Sequence, residues 1–201
     1  QIDSDYRGFS FQKNTELDMR MDTNQNLTAE YIINNYEEEQ LTEVLKFYSE
    51  DKYFKKITKK IIESRPILTT GELVNLIKEV LPRQNPIFTE KTIRRIFQAL
   101  RIEVNNELDE IKNSLSSIKN SIDKKGVIVC ISYHSLEDKI VKKFFNEITT
   151  YCICEPRIPV CQCDIQQEFK FSKKKKFTAS DKEKENNPRS KSAIMRYVIK
   201  L

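Results

Sequence analysis

Between residues 127 and 145 the chain reads VIVCISYHSLEDKIVKKFF, and this stretch restricts the fold more than any other. Every position from Val127 to Ile131 is apolar and most are β-branched. That is the pattern of a strand covered on both faces, and such strands sit inside α/β sheets. The texture then switches to a helix. Ser135 reads as its N-cap with Asp138 three residues later, while Ile140, Val141, Phe144 and Phe145 supply a buried stripe. His134, the only histidine, falls at the join. It therefore stands at the carboxyl end of a buried strand, beside a helix N-terminus, where open α/β sheets bind ligands and helix ends offer unpaired N–H groups. A histidine that only caps and packs at the turn is the other reading of the same residues.

Ahead of this strand the pattern is helical. In LTAEYIINNYEEEQLTEVLKFYSE, steps of three and four link Ile32, Ile33, Tyr36, Leu41, Val44, Leu45 and Tyr48 into a stripe on one or two helices. DKYFKKITKKIIESRP repeats the pattern and stops before Pro66, and TTGELVNLIKEVLP opens on a capping box of Thr69 and Glu72. From Thr89 the apolar positions continue through Ile93, Phe97, Leu100, Val104, Leu108, Ile111, Leu115 and Ile118. Unbroken, that helix would span roughly 45 Å. After it and the strand come EFKFS and AIMRYVIKL, a closing pair expected to be antiparallel strands at the sheet's edge, separated by the polar TASDKEKENNPRSKS.

A chain of 201 residues is one large domain or a domain with an insertion. No apolar run approaches the roughly 18 residues of a membrane span and no secretory signal opens the chain, so a cytosolic or organelle-matrix location is expected, with no membrane partner. The opening QIDSDYRGFSF starts without Met and without periodicity, which is the look of a chain that begins mid-domain. Charge is uneven. Residues 170–201 hold 11 Lys or Arg against 3 Asp or Glu, a local +8, which leaves −3 for the rest of a chain of net charge +5. Phosphate contact and a solvated basic edge both account for such a tail.

Cys152, Cys154, Cys161 and Cys163 form C-x-C, six residues, C-x-C. In extended backbone residues i and i+2 point the same way, so four thiolates could converge on one Zn²⁺, though the usual spacing is C-x-x-C. A packed, reduced cysteine loop stays open as the alternative.

Six motifs carry a resemblance. RGFSF, LDMRMD, TAEYIINNYEEEQL, FQALRIEVNNEL, ISYHSLEDKIVKKFF and NPRSKSAIMR stand here in the order and spacing of the RsmH (MraW) family, S-adenosylmethionine-dependent enzymes that methylate N4 of a cytidine in the decoding centre of 16S rRNA in the small ribosomal subunit. The resemblance covers essentially all of the chain. It implies an α/β fold: part of a Rossmann-like methyltransferase sheet with a helical substrate-recognition domain inserted. Residues 1–25 would be an active-site approach loop, 26–88 the insertion and 89–201 the C-terminal part of the methyltransferase domain. It also implies that the Gly-rich cofactor loop and acidic strand ends of the family are missing, since the chain has only Gly8, Gly71 and Gly126. Of the cofactor contacts, only Gln1 matches. Other departures are NTE at 14–16 in place of Asp-Gly-Pro, Lys125 for a Gly, Tyr133 for Phe and Lys139 for Arg.

In such a reaction the cytosine amino nitrogen attacks a sulfonium methyl in line, so the protein aligns the two and supplies polar acceptors near the nitrogen. The base must first leave its stack. His134, Ser135, Glu137 and Asp138 are the candidate acceptors, with Arg20 and Asp22 on the approach loop and Arg94, Arg95 and Arg101 as RNA contacts on the long helix. Self-association as a homodimer stays open. Two functions follow: a methyltransferase of which this chain is the C-terminal part, or a non-catalytic RNA-binding remnant of one.

Overall fold

The computed structural model describes residues 7–82, 86–154, 162–163, 165–172 and 174–201. The chain divides into two compact units, Gln1–Glu107 and Leu108–Leu201.

The first unit is helical, and its helices form where the apolar stripes predict them. They are α1 (Ala29–Asn35), α2 (Glu38–Ser49), α3 (Phe54–Glu63), α4 (Thr70–Val80) and α5 (Pro86–Asn105). The stripe of residues 27–50 is two helices because Tyr36 and Glu37 are extended. Arg65 satisfies the carbonyls exposed there, donating from Nε to Ile33 O (2.6 Å) and from Nη2 to Tyr36 O (2.5 Å). The capping box at α4 is present, with Thr69 accepting from Glu72 N and Glu72 from Thr69 N. Ile32, Ile33, Leu41, Leu45, Ile57, Ile61, Leu73, Ile77, Ile96 and Leu100 are fully buried in a common core. Each such side chain contributes roughly 1.5–3 kcal/mol.

The helix expected to run on from Thr89 is broken. α5 ends at Asn105, and α6 (Glu107–Ser121) begins after Asn106, whose φ is +49°. Asn is one of the few residues that enters this left-handed region readily. The side chain of Asn105 joins the end of α5 to a distant loop, donating from Nδ2 to Arg101 O (2.8 Å) and Met19 O (2.8 Å) and accepting at Oδ1 from Met21 N (2.6 Å).

The second unit starts with the rest of α6 and continues with β1 (Val127–Ser132), α7 (Ser135–Ile148), β2 (Phe169–Phe171), β3 (Phe177–Thr178), α8 (Asp181–Asn186), a 3-10 turn (Pro188–Ser192) and β4 (Ile194–Lys200). Strand order is β1-β4-β2, with β3 also on β4, and every described pair is antiparallel. The closing strands are therefore antiparallel as expected, but β4 is central. Ile128, Val141, Phe145, Phe169, Val198 and Leu115 of α6 form the core.

One expectation for β1 fails. Ile128 is buried, but Val127, Val129 and Ile131 are 47%, 53% and 56% exposed. The strand is covered on one face only, because α7 and α6 pack on that side and no described element of this unit covers the other. Among the described residues β1 also pairs only with β4. No helix among the described residues is long and apolar enough to cross a membrane.

Candidate functional site

The join between β1 and α7 is built by a capping box one residue earlier than the sequence suggests. His134, not Ser135, is the N-cap: its backbone is extended (φ −140°, ψ 168°) and Nδ1 accepts from Glu137 N at 3.5 Å. Ser135 is the first helical residue. In return Glu137 Oε2 accepts from Tyr133 N (2.7 Å) and His134 N (3.3 Å). An Nδ1 that accepts leaves Nε2 as the ring's N–H, and Nε2 lies 3.1 Å from Glu137 Oε1. The contact is close but not well aligned, since buried Nε2 has no in-line acceptor among the described residues. The imidazole is 12% exposed. It lies against Glu137 rather than standing open to solvent, and it caps the turn as one of the two sequence readings has it. Burial alone would raise the Glu137 carboxyl. The imidazole of His134 and the N–H groups of Tyr133 and His134 outweigh it and hold the group below the usual glutamate range.

Asp138, next along the first turn, has a different partner. Its two oxygens accept from Arg196 Nε (2.7 Å) and Nη2 (2.9 Å), and Arg196 is 7% exposed at the centre of β4. Arg196 also donates to Lys175 O at 2.8 Å. Hydrogen bonding to Arg196 holds the Asp138 carboxyl below its ordinary value against the opposing effect of burial. Asp138 thus ties α7 to the sheet. Arg196 had a visible signal, a lone cation at an inward position of an alternating strand, which requires a buried anion as partner. Of the four acceptors named from sequence, the fold gathers all at this join. It gives His134 a cap, Asp138 an ion pair, and leaves Glu137 as the carboxylate whose tethers come chiefly from neighbouring backbone.

In the first unit, Arg20 is absorbed by its own loop. It donates from Nε to Asp18 Oδ1 (2.6 Å), from Nη2 to Asp18 Oδ2 (3.2 Å) and from Nη1 to Gln25 O (2.7 Å). Asp22 accepts from Asn24 N at 2.9 Å in a local turn and is exposed. Arg94 pairs with Glu90 (2.7 Å) on the surface of α5, Arg95 lies 3.4 Å from buried Asp51, and Arg101 grips Glu107 through Nε (2.7 Å) and Nη2 (2.9 Å). Only the Arg94 pair is mainly solvent-exposed, where an ion pair is worth little and a phosphate can replace it. The spacing of the sequence missed Asn105, which clamps residues 19–21 onto α5. Tyr36 on α1's end donates to Glu103 Oε1 at 3.0 Å, and burial together with that carboxylate pushes its hydroxyl up to about 12.

Gln1 and Cys161 lie outside the described residues. The other three cysteines of the C-x-C pairs, Cys152, Cys154 and Cys163, come together with their Sγ atoms within 4.8 Å of one another.

A nucleotide-type cofactor needs glycines whose missing side chains let it approach the backbone. None of the three serves that way. A Cβ at Gly8 would stand 2.5 Å from Glu16 O, at Gly71 2.6 Å from Asn14 Oδ1, and at Gly126 2.4 Å from Ile122 Cγ1. Each glycine is used up by packing within its own unit.

Comparison with known proteins agrees with the motif pattern. The model of the MraW methylase family matches residues 1–201. Among curated relatives, the ribosomal RNA small subunit methyltransferase H of Clostridioides difficile (strain 630) is 43% identical over 204 residues, covering 100% of this chain and 66% of the relative. The protein of the same name from Halothermothrix orenii is 44% identical over 199 residues, covering 98% and 64%. That from Caldicellulosiruptor saccharolyticus is 44% identical over 204 residues, covering 100% and 66%. The chain spans just under two thirds of the length of these relatives. On the match along its whole length, the chain belongs to the MraW methylase family.

Proposed function

We propose that this chain is the substrate-side part of an S-adenosylmethionine-dependent methyltransferase acting on N4 of a cytidine in 16S rRNA of the small ribosomal subunit. The observation that carries the reading is the match along the whole of this chain to relatives named as small-subunit rRNA methyltransferases. The sheet is then the later part of a Rossmann-like methyltransferase sheet. The bare apolar face and unpaired edge of β1 support this, because such a surface calls for a covering layer. In the reading that layer belongs to the nucleotide-binding half, which also holds the methyl donor. A homodimer through the same face is the competing occupant. Residues 26–88 serve as the RNA-recognition insertion, with exposed Arg94 and the basic C-terminal segment on phosphates.

At the join, Glu137 takes the acceptor role. A carboxylate has about four lone-pair positions, and the N–H groups of Tyr133 and His134 occupy two of them, both on Oε2. A remaining one can accept from the amino group of a flipped cytosine and oppose delocalisation of its nitrogen lone pair. His134 positions that carboxylate, and Ser135 and Asp138 hold the first turn in place. Such a protein works on ribosomal particles in the cytoplasm or an organelle matrix.

The test joins this chain to the stretch of the Clostridioides difficile relative that it does not cover, and supplies unmodified small-subunit particles with labelled S-adenosylmethionine. Nuclease digestion and mass spectrometry should find N4-methylcytidine. Glu137→Gln should lower the rate tenfold or more at unchanged donor affinity, a loss of about 1.4 kcal/mol of transition-state stabilisation. A protein that binds the donor but places no methyl on rRNA would overturn the reading. The second reading is a non-catalytic RNA-binding remnant, for which the basic C-terminal segment is the observation. Calorimetry on the 201-residue chain addresses it. The chain alone should bind S-adenosylmethionine weakly or not at all, and a fused protein that still fails to bind it while retaining rRNA affinity supports the remnant.

A further inference from the structure

The connection from α7 to β2 turns its residues the wrong way round for simple burial. Tyr151 and Ile153 are 70% and 72% exposed, while Cys152 and Cys154 are turned inward to intermediate exposure. Removing apolar area from water would favour the reverse, since Tyr and Ile each bury more of it than Cys. What the inward side gathers is a third thiol, Cys163, with all three Sγ atoms within 4.8 Å of one another. A tetrahedral zinc with Zn–S bonds of ~2.3 Å sets its sulfurs ~3.8 Å apart, inside that limit.

Two backbone donors are aimed at the same sulfurs. Ile153 N donates to Cys163 Sγ at 3.5 Å and Gln162 N to Cys154 Sγ at 3.3 Å. N–H groups directed at sulfur orient it, as in the outer shell of a metal–cysteine site. The segment from 149 to 168 carries no helix or strand among its described residues.

We infer that Cys152, Cys154 and Cys163 bind one Zn²⁺ as thiolates, with a fourth donor completing the tetrahedron, and that the ion fixes the α7–β2 connection. Thiolate donors select zinc over magnesium or calcium. Binding displaces the thiol protons, so apparent affinity rises with pH. The inference rests on the cysteine geometry alone and stands apart from the methyl-transfer reading.

The full chain, purified under reducing conditions without chelator, should carry about one zinc by elemental mass spectrometry. Stripped and reloaded with Co²⁺, it should give the thiolate-to-metal charge-transfer band and strong d–d absorption of tetrahedral cobalt. Cys152→Ser and Cys163→Ser should each weaken zinc binding about 100-fold or more in competition with a chromophoric chelator. Cys130→Ser should not, because that thiol lies in β1. If the serine variants fail to fold, titration of the stripped wild-type chain decides, with tight uptake of one equivalent and proton release expected. A chain that takes up no zinc and gives no tetrahedral cobalt spectrum overturns the inference. So does affinity unchanged by both substitutions, or a disulfide among the three cysteines in anaerobically prepared protein.

Discussion

Replacing Asp138 by Asn removes the charge opposite Arg196 and keeps the shape. The pair is bidentate, and the guanidinium is 7% exposed at the centre of β4. Breaking a buried pair from one side costs about 3–5 kcal/mol, because the remaining charge is left uncompensated. Arg196 keeps its bond to Lys175 O and an amide oxygen can still accept one N–H, so the low end applies, ~3 kcal/mol. That is a roughly 150-fold rise in the opening equilibrium of the β1–β4 ladder. Hydrogen exchange of the β1 and β4 amides at neutral pH reads it directly. The pH dependence has a definite sign. The folded carboxyl titrates below its ordinary value, so the pair's contribution is complete above the unfolded value near ~4 and is lost as pH falls through the folded one. The gap between wild type and Asp138→Asn should therefore close in acid. Asp138→Leu with Arg196→Met should recover most of the loss, since an apolar pair of similar volume removes the stranded charge. A gap below ~1 kcal/mol at neutral pH, or one that persists undiminished in acid, would refute the argument.

His134→Ala should cost ~1 kcal/mol through the lost cap of α7, whereas Ser135→Ala should be near neutral; thermal denaturation of both variants compares them. Asn105→Ala removes the clamp on Met19 and Met21, and should cost ~1–2 kcal/mol with faster proteolysis between residues 19 and 25. Lys125 sits at φ +68°, so Lys125→Gly should raise stability by about 0.5–1 kcal/mol in urea titration, the relief of left-handed strain exceeding glycine's extra chain entropy.

The helices of the first unit were legible because each carries an apolar stripe of the right period over two or more turns. What escaped the sequence was decided by partners far along the chain. At the break before Asn106, Asn105 meets Met19 and Met21 more than 80 residues earlier, and local periodicity is blind to that. His134 displaced Ser135 as cap because only the backbone shows which of two adjacent polar residues is extended. The short α8 was passed over as polar linker although Ser180 and Glu183 carry its cap, with Glu183 N donating to Ser180 Oγ at 3.2 Å. β1 was misjudged for a different reason. A continuous apolar run records that both faces are suited to burial, but not what covers them within these residues. At the join proposed as the site, the sharing of contacts among His134, Glu137 and Asp138 required Arg196, which is 58 residues from Asp138.

The row of Val127, Val129 and Ile131 has a colloidal consequence. Like-charge repulsion keeps molecules of net charge +5 apart, but it reaches only ~10 Å at moderate ionic strength and shrinks as salt is added. The attraction between bare strips of β-branched side chains on an edge strand is not screened, and excluded salts such as sulfate strengthen it. In solution this chain should therefore be least soluble where most basic proteins are comfortable, in concentrated buffer, and its scattering should rise with salt rather than fall.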